Sequence, residues 1–490
     1  MGSSGEANAV YKGEAMSPAA QLFHAPTLNC YVIASIGSKT RINPHVIKEG
    51  LRHTLLKHPR FTSKLVKKGR RAWWIPTTVD LEKHVIVPEI DPDLDLPDRF
   101  IEDYTSNLTT IPLDSSRPLW ELHLLNLRTS NSEGIGIFRI HHSLGDGASL
   151  ISLLLSVTRK ASDPLSLPTL PPSKDRALSV LPPSPFPPFC SLFLAIFSGL
   201  ALIWNTLVDM IMFFATILFL RDSQTPLKGL PGVEHTTKRF VHRNVSLDDI
   251  KLVKSAMKVT INDVLLGITQ AALARYLNRI QAGANPNGGA VKQPRGDSNF
   301  KDVRLRAAIL FNVRPTAGIK EMADMMAEKS KVKWGNWIGY IILPFAVVLQ
   351  DDPLKYVRQA KSTIDRKKHS LEAICTFGCA KSALKLFGMK VAAAITHRVL
   401  YNTTLTFSNV VGPVEEISFC GHPVTFLAPS VCGHPHALTI HFLSYVNQMT
   451  ISMAVDPSVI PDPHRLCDDL EASLKHITDV VKKTLLPDIV

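Results

Sequence analysis

The stretch "RIHHSLGDGASL", residues 139–150, decides how this chain is read. Two adjacent histidines, His141 and His142, close an apolar run, "GIGIFRIHH" (134–142), that has the character of a β-strand. Asp146 and Gly147 follow within one turn, and "ASLISLLLSVTRK" then takes up a helical pattern. The histidines therefore lie where a strand gives way to a helix. Neighbouring side chains on a strand point to opposite faces, so only one of the pair can look into a cleft. His142 is the better candidate for a general base, which needs a fixed tautomer and an open ring face, and His141 takes a supporting place. Asp146 suits a structural part, orienting the turn by pairing with an arginine, and Gly147 is read as permitting a close chain approach. A bare His-His pair is far more often packing than chemistry, whereas the whole H-H-x-x-x-D-G string is selective.

Working outward, "LNCYVIASI" (28–36) and "LWELHLLNL" (119–127) read as further strands, and "PHVIKEGLRHTLLKHP" as an amphipathic helix ending before Pro59. Residues 161–188 hold nine prolines and read as an extended linker. From Phe189 to Val208 the chain carries no charge, long enough as a helix to match one bilayer core. Asp209 interrupts before a second apolar run ends at Arg221. Beyond residue 236, "SLDDIKLVKSAMKVTINDVLLGITQAALARYLNRI" reads as two helices, and "RAAILFNVRP" as a strand ending at polar Asn312 and Arg314. Four more strand candidates follow, "TTLTFSNVVGP", "VTFLAP", "ALTIHFLSYV" and "QMTISMAVD". The expected organisation is α+β throughout, with halves at 1–160 and 236–490 and the linker plus apolar segment (189–220) at 161–235.

At 490 residues the chain exceeds the usual single domain, and 45% hydrophobic composition excludes general disorder. A formal charge of +13 favours polyanionic partners: nucleic acid, anionic lipid or a phosphorylated cofactor. No nucleic-acid recognition motif appears. Seven cysteines, an odd number spread through the chain, fit reduced thiols facing the cytosol. The opening residues lack an apolar signal core. "CGHPHALTIH" gathers Cys432, His434, His436 and His441, but without paired zinc-type spacings, so no metal site is expected.

The HHxxxDG string from His141 to Gly147 resembles the active-site motif of the coenzyme A-dependent acyltransferase superfamily, and the match narrows to the wax ester synthase/diacylglycerol acyltransferase family in its plant form. "PLW" (118–120), "ND" (Asn262, Asp263), "WGNWIG" (334–339) and "SNVVGPVEEISFCGHPV" (408–424) are similar to motifs of that family, and the DFGWG signature of the soluble plant cousins is absent. The resemblance implies two chloramphenicol-acetyltransferase-like halves, an α/β sandwich, with a tunnel between them. It also implies long-chain acyl transfer from acyl-CoA, a co-substrate rather than a bound cofactor, to a fatty alcohol and to diacylglycerol. His142 would take the hydroxyl proton; Asn262, Ser408 and Asn409 are the polar candidates for the oxyanion, and Arg314 for the partner of Asp146. Competing readings are a non-catalytic lipid carrier of the same fold and an acyltransferase for another hydroxylated metabolite.

A single crossing by residues 189–208 would put the halves on opposite sides of a bilayer, where they could not share a tunnel. The segment is therefore expected to lie in or dip into the membrane interface, with Asp209 at headgroup level. Single-pass spanning is the runner-up, and a buried core helix the third reading. The resemblance places the protein at the endoplasmic reticulum membrane with its catalytic halves cytosolic; the plasma membrane is the alternative.

Overall fold

The computed structural model describes residues 13–68, 71–91, 94–171, 188–283, 302–314 and 334–485. Much of the proline-rich linker, at 172–187, lies outside the described residues.

Two mixed sheets organise the molecule. The first has seven strands, in the order Val85–Ile86, Trp120–Leu125, Gly134–His141, Tyr31–Ser38, His422–Cys432, Ile417–Phe419 and Thr158–Lys160. Trp120–Leu125 is buried at every position, its Glu121 paired with Arg139 of the neighbouring strand at 3.4 Å. The second has six: Ile338–Pro344, Arg306–Asn312, Leu405–Val411, Leu438–Tyr445, Gln448–Val455 and Arg239–Ser246. Helices Leu247–Ala256, Ile261–Gly283, Leu354–Lys368 and Pro463–Leu485 supply apolar side chains to the core over this sheet, among them Ile250, Leu273, Val357 and Leu470.

The sequence division at residue 236 does not anticipate one crossover. His422–Cys432 leaves the second half and pairs antiparallel along Tyr31–Ser38, one strand away from the histidine strand Gly134–His141. A bulge between Val424 and Phe426 bends it. The second half thus completes the first half's sheet, and the two cannot stand on opposite sides of a membrane, which removes the single-crossing reading.

The apolar segment forms one helix, Pro188–Leu218. Its Leu194–Leu218 part is long and apolar enough to span a membrane, yet only 17% of the residues in its most apolar window are buried, so it is no core helix. Its C-terminal part packs through Phe213 on Tyr340, Ile342 and Val399 of the second half. Asp209 does not face solvent. It is 1% exposed, 2.9 Å from Lys367 Nζ and 2.8 Å from Arg366, and Lys367 in turn meets Glu372 at 2.5 Å. The carboxylate that hydropathy places near water instead pins the helix to the protein.

Candidate active site

His141 is the last residue of its strand and His142 begins a short 3-10 turn, His142–Leu144. The backbone N–H of His141 donates to the Leu119 carbonyl at 3.0 Å and that of His142 to the Cys30 carbonyl at 2.9 Å, so the residues just before the two neighbouring strands fix the backbone at both histidines. Leu119 belongs to "PLW", whose Trp120 is fully buried and donates its indole N–H to Phe61 O at 2.9 Å.

The two histidines have different surroundings. His141 is tied at both nitrogens: Ser143 N–H donates to its Nδ1 at 3.2 Å, and its Nε2 meets Asn29 Oδ1 at 3.0 Å. Because Nδ1 accepts, the proton sits on Nε2. Ser143 Oγ also lies 3.0 Å from His24 Nε2, and the His24 ring stacks on His141 at 4.1 Å. Burial pushes His141 well below the ordinary histidine range and His24 down to about 4. His141 has no lone pair left for a substrate and holds the turn.

His142 stacks on Phe23 at 4.3 Å, and burial lowers its pKa, so it is neutral at neutral pH. Its Nδ1 is buried without a hydrogen-bond partner, and so is Oδ1 of Asn336. Asn336 is adjacent: its Nδ2 donates to the carbonyls of His142 and Ser143 at 3.1 and 3.3 Å. His142 lines two apolar cavities. One, about 380 Å³, is walled by both halves, with Ile140, Leu154, Phe311 and Leu443 among its lining. The other, about 220 Å³, is lined by Phe23, Trp337, Phe377 and Leu400. Among the described residues His142 is the one titratable group on both walls.

Asp146 caps the helix Gly147–Val157, its Oδ1 accepting from Ser149 N–H at 3.0 Å. Arg314 grips the same carboxylate with both terminal nitrogens, at 2.8 and 3.0 Å, in a contact where both side chains are buried. Trp337 N–H donates to Asp146 Oδ2 at 2.9 Å, and Trp334 Nε1 to Leu144 O at 2.7 Å. Residues 334–337 therefore clasp the histidine turn from the second half. Gly147, expected at a close chain approach, is not at one: a Cβ there would meet only Val410 Cγ2, at 4.0 Å, an ordinary contact. Gly147 faces the larger cavity, and the close approach occurs at Gly145, where a Cβ would lie 3.0 Å from Ser149 and 3.3 Å from Trp334.

Ser408 and Asn409 line the larger cavity; Asn262 does not. It is exposed and accepts from Asn409 Nδ2 at 2.7 Å, so it bears on the cavity only through Asn409. Asp263 closes a helix cap with Thr260. His441 joins the larger cavity, its Nδ1 3.3 Å from Ser430 Oγ, with burial lowering its pKa to about 4. His434 and His436 bond to Thr439, Thr403 and Thr406 instead of converging. Among the described residues no group of three or more His, Cys, Asp or Glu could hold a metal. Phe23, Ser143 and His441 join the site with no motif of their own in the chain that marks them for it; Asn336 lies in the "WGNWIG" run, whose placement the sequence does not show.

Two α+β halves closing on one histidine define the class: a two-lobed acyltransferase. A family model for the wax ester synthase/diacylglycerol acyltransferase catalytic domain matches residues 29–265, and one for the WS/DGAT C-terminal domain matches 334–478. The chain belongs to the wax ester synthase/diacylglycerol acyltransferase family. It is 51% identical over 486 residues to wax ester synthase/diacylglycerol acyltransferase 11 of Arabidopsis thaliana, 97% of each chain. Number 5 of that series is 52% identical, over 96% of this chain and 94% of its own. The fold also matches a wax ester synthase/diacylglycerol acyltransferase from Marinobacter aquaeolei VT8, TM-score 0.57 at 17% identity, over 95% of this chain and 99% of that one. The first condensation domain of the calcium-dependent antibiotic synthetase has a TM-score of 0.57 at 11% identity, over 96% and 97%.

Proposed function

We propose that this acyltransferase moves a long-chain acyl group from acyl-CoA to a fatty alcohol, and to diacylglycerol, with His142 as the general base. The observation that carries the proposal is His142 on the shared wall of two apolar cavities, one for each lipid chain. The hydroxyl proton passes to the free Nε2 of His142 as the oxygen attacks the thioester carbonyl. The tetrahedral oxyanion then collapses, the C–S bond breaks, and the imidazolium returns the proton to the coenzyme A thiolate. No acyl-enzyme is needed. A placed base supplies roughly 10²–10⁴ in rate, and the remainder comes from holding two chains end to end and from donors at the oxyanion. Asn409, Ser408 and His441 face that space; Asn262 acts by holding Asn409.

Asn336 is a positioning residue in this account. A small turn brings its orphaned Oδ1 onto Nδ1–H of His142, fixing the tautomer that leaves Nε2 open. Asp146 and Arg314 set the turn, and Gly147 keeps the cavity floor open. The working units are residues 1–160 and 236–490, with 161–235 as linker and apolar segment. Residues 189–220 contact lipid at the endoplasmic reticulum membrane, and both halves face the cytosol.

An acceptor panel with labelled acyl-CoA tests the reading. Hexadecanol and diacylglycerol should be esterified; binding without turnover would mean a lipid carrier, and preference for a water-soluble hydroxylated acceptor a different acyltransferase.

A further inference from the structure

Helix Glu372–Tyr401 is bent at Gly388, whose φ of 77° and ψ of 177° break the helical path. That region of backbone space is open essentially to glycine alone. Both arms line the smaller cavity, Phe377 and Lys381 from the first, Thr396 and Leu400 from the second. Their inner sides pack on the N-terminal segment, with Ala383, Leu384, Ala392 and Ala393 meeting Leu22, Ala25 and Leu28. The bend itself is bare: Leu386 is 72% exposed and Phe387 65%, with Met389 and Val391 beside them. Adjacent large apolar side chains left in water at a helix bend mark an interaction surface. The charges identify what it meets. From Ala373 to Tyr401 the helix carries Lys381, Lys385, Lys390 and Arg398 and no Asp or Glu. Apolar residues interleaved with lysines fit an interface of acyl chains beneath anionic headgroups.

We propose that the tip Lys385–Val391 inserts into the interfacial layer of an anionic membrane, and that the smaller cavity takes its lipid acceptor from there. This rests on the assignment of that cavity to a lipid chain. It gives the protein a membrane contact separate in sequence from residues 189–220. The arms meet Met210 and Phe213 of the apolar helix through Cys379 and Val399, so the two contacts belong to one packed body.

The test uses the full chain in lipid titrations against phosphatidylcholine vesicles with and without phosphatidylserine. L386S/F387S should weaken binding to both by about tenfold or more. K385Q/K390Q should weaken binding to the phosphatidylserine vesicles by about thirtyfold, near fivefold per lysine, and leave phosphatidylcholine binding unchanged. In turnover, L386S/F387S should raise KM for hexadecanol held in vesicles and leave reaction with a short water-soluble alcohol at the wild-type rate. Wild-type vesicle binding by both variants overturns the proposal, and so does a lipid-free dimer that L386S/F387S dissociates, which would make the tip a contact between copies. Failure of the wild type to turn over any alcohol strikes the functional reading instead; the titrations then still decide the tip.

Discussion

Asp146→Asn separates a structural aspartate from a chemical one. Asn keeps the side-chain shape and can still cap helix Gly147–Val157, so the cap is nearly preserved. What is lost is the charge in a bidentate contact with Arg314 whose side chains are 4% and 2% exposed. Breaking one side of a buried, hydrogen-bonded pair costs about 3–5 kcal/mol, a large part of the roughly 5–15 kcal/mol that holds a typical protein folded. Trp337 N–H also relies on this carboxylate, at 2.9 Å, so the clasp at 334–337 should loosen and turnover should fall with stability. Urea unfolding of D146N, R314M and the double variant, beside initial rates, measures this. The double variant should be less destabilised than the two single losses summed. An unchanged D146N midpoint with turnover abolished would make Asp146 a chemical participant and not a structural one.

Asn336→Ala should lower kcat about tenfold or more with KM for acyl-CoA little changed, because the base loses its orientation while both cavities stay; an unchanged kcat removes Asn336 from the mechanism. Burial holds His142 below the ordinary 6.5, so kcat/KM should be flat through neutral pH and fall along a single-proton acid limb with its midpoint under 6.5; a midpoint above 7 contradicts a buried neutral base. Stability should fall in the same direction. His24, His58, His242 and His441 titrate near 4 in the folded protein, below their unfolded value of 6.5. Between those values the unfolded chain binds more protons, so stability drops as pH falls from 6.5 towards 4, by up to about 1.4 kcal/mol per pH unit for each group; a urea midpoint constant over that range contradicts it. Asp209→Leu should take from Arg366 and Lys367 the carboxylate that ties them to the apolar helix, leaving Lys367 paired with Glu372 alone, and speed proteolysis at the Pro188–Leu218 helix, while vesicle binding persists. Lost vesicle binding with normal protease resistance would restore Asp209 to the membrane surface.

The parts of this fold that local pattern controls were legible in the chain. The histidine strand, the turn and the helix after Asp146 follow from residues within a few positions of one another; the separation of His141 from His142 comes instead from the 3-10 turn that begins at His142, where the strand has ended. What the sequence hid is long-range. Trp334–Trp337 and Asp146 lie nearly two hundred residues apart, and no periodicity brings them together. The placement of His422–Cys432 in the first sheet is a pairing choice that a strand pattern does not encode. Asp209 misled because hydropathy assigns a carboxylate to water and has no knowledge of Lys367. Gly147 stood for Gly145 because only packing shows which of two neighbouring glycines faces a tryptophan.

The most direct measurement is the initial rate of hexadecyl ester formation by His142→Ala, with labelled acyl-CoA and the purified full chain. His142 reaches both cavities, so its replacement should cost at least about a hundredfold in rate with an unchanged unfolding midpoint. Ester formation at the wild-type rate by that folded variant would contradict it.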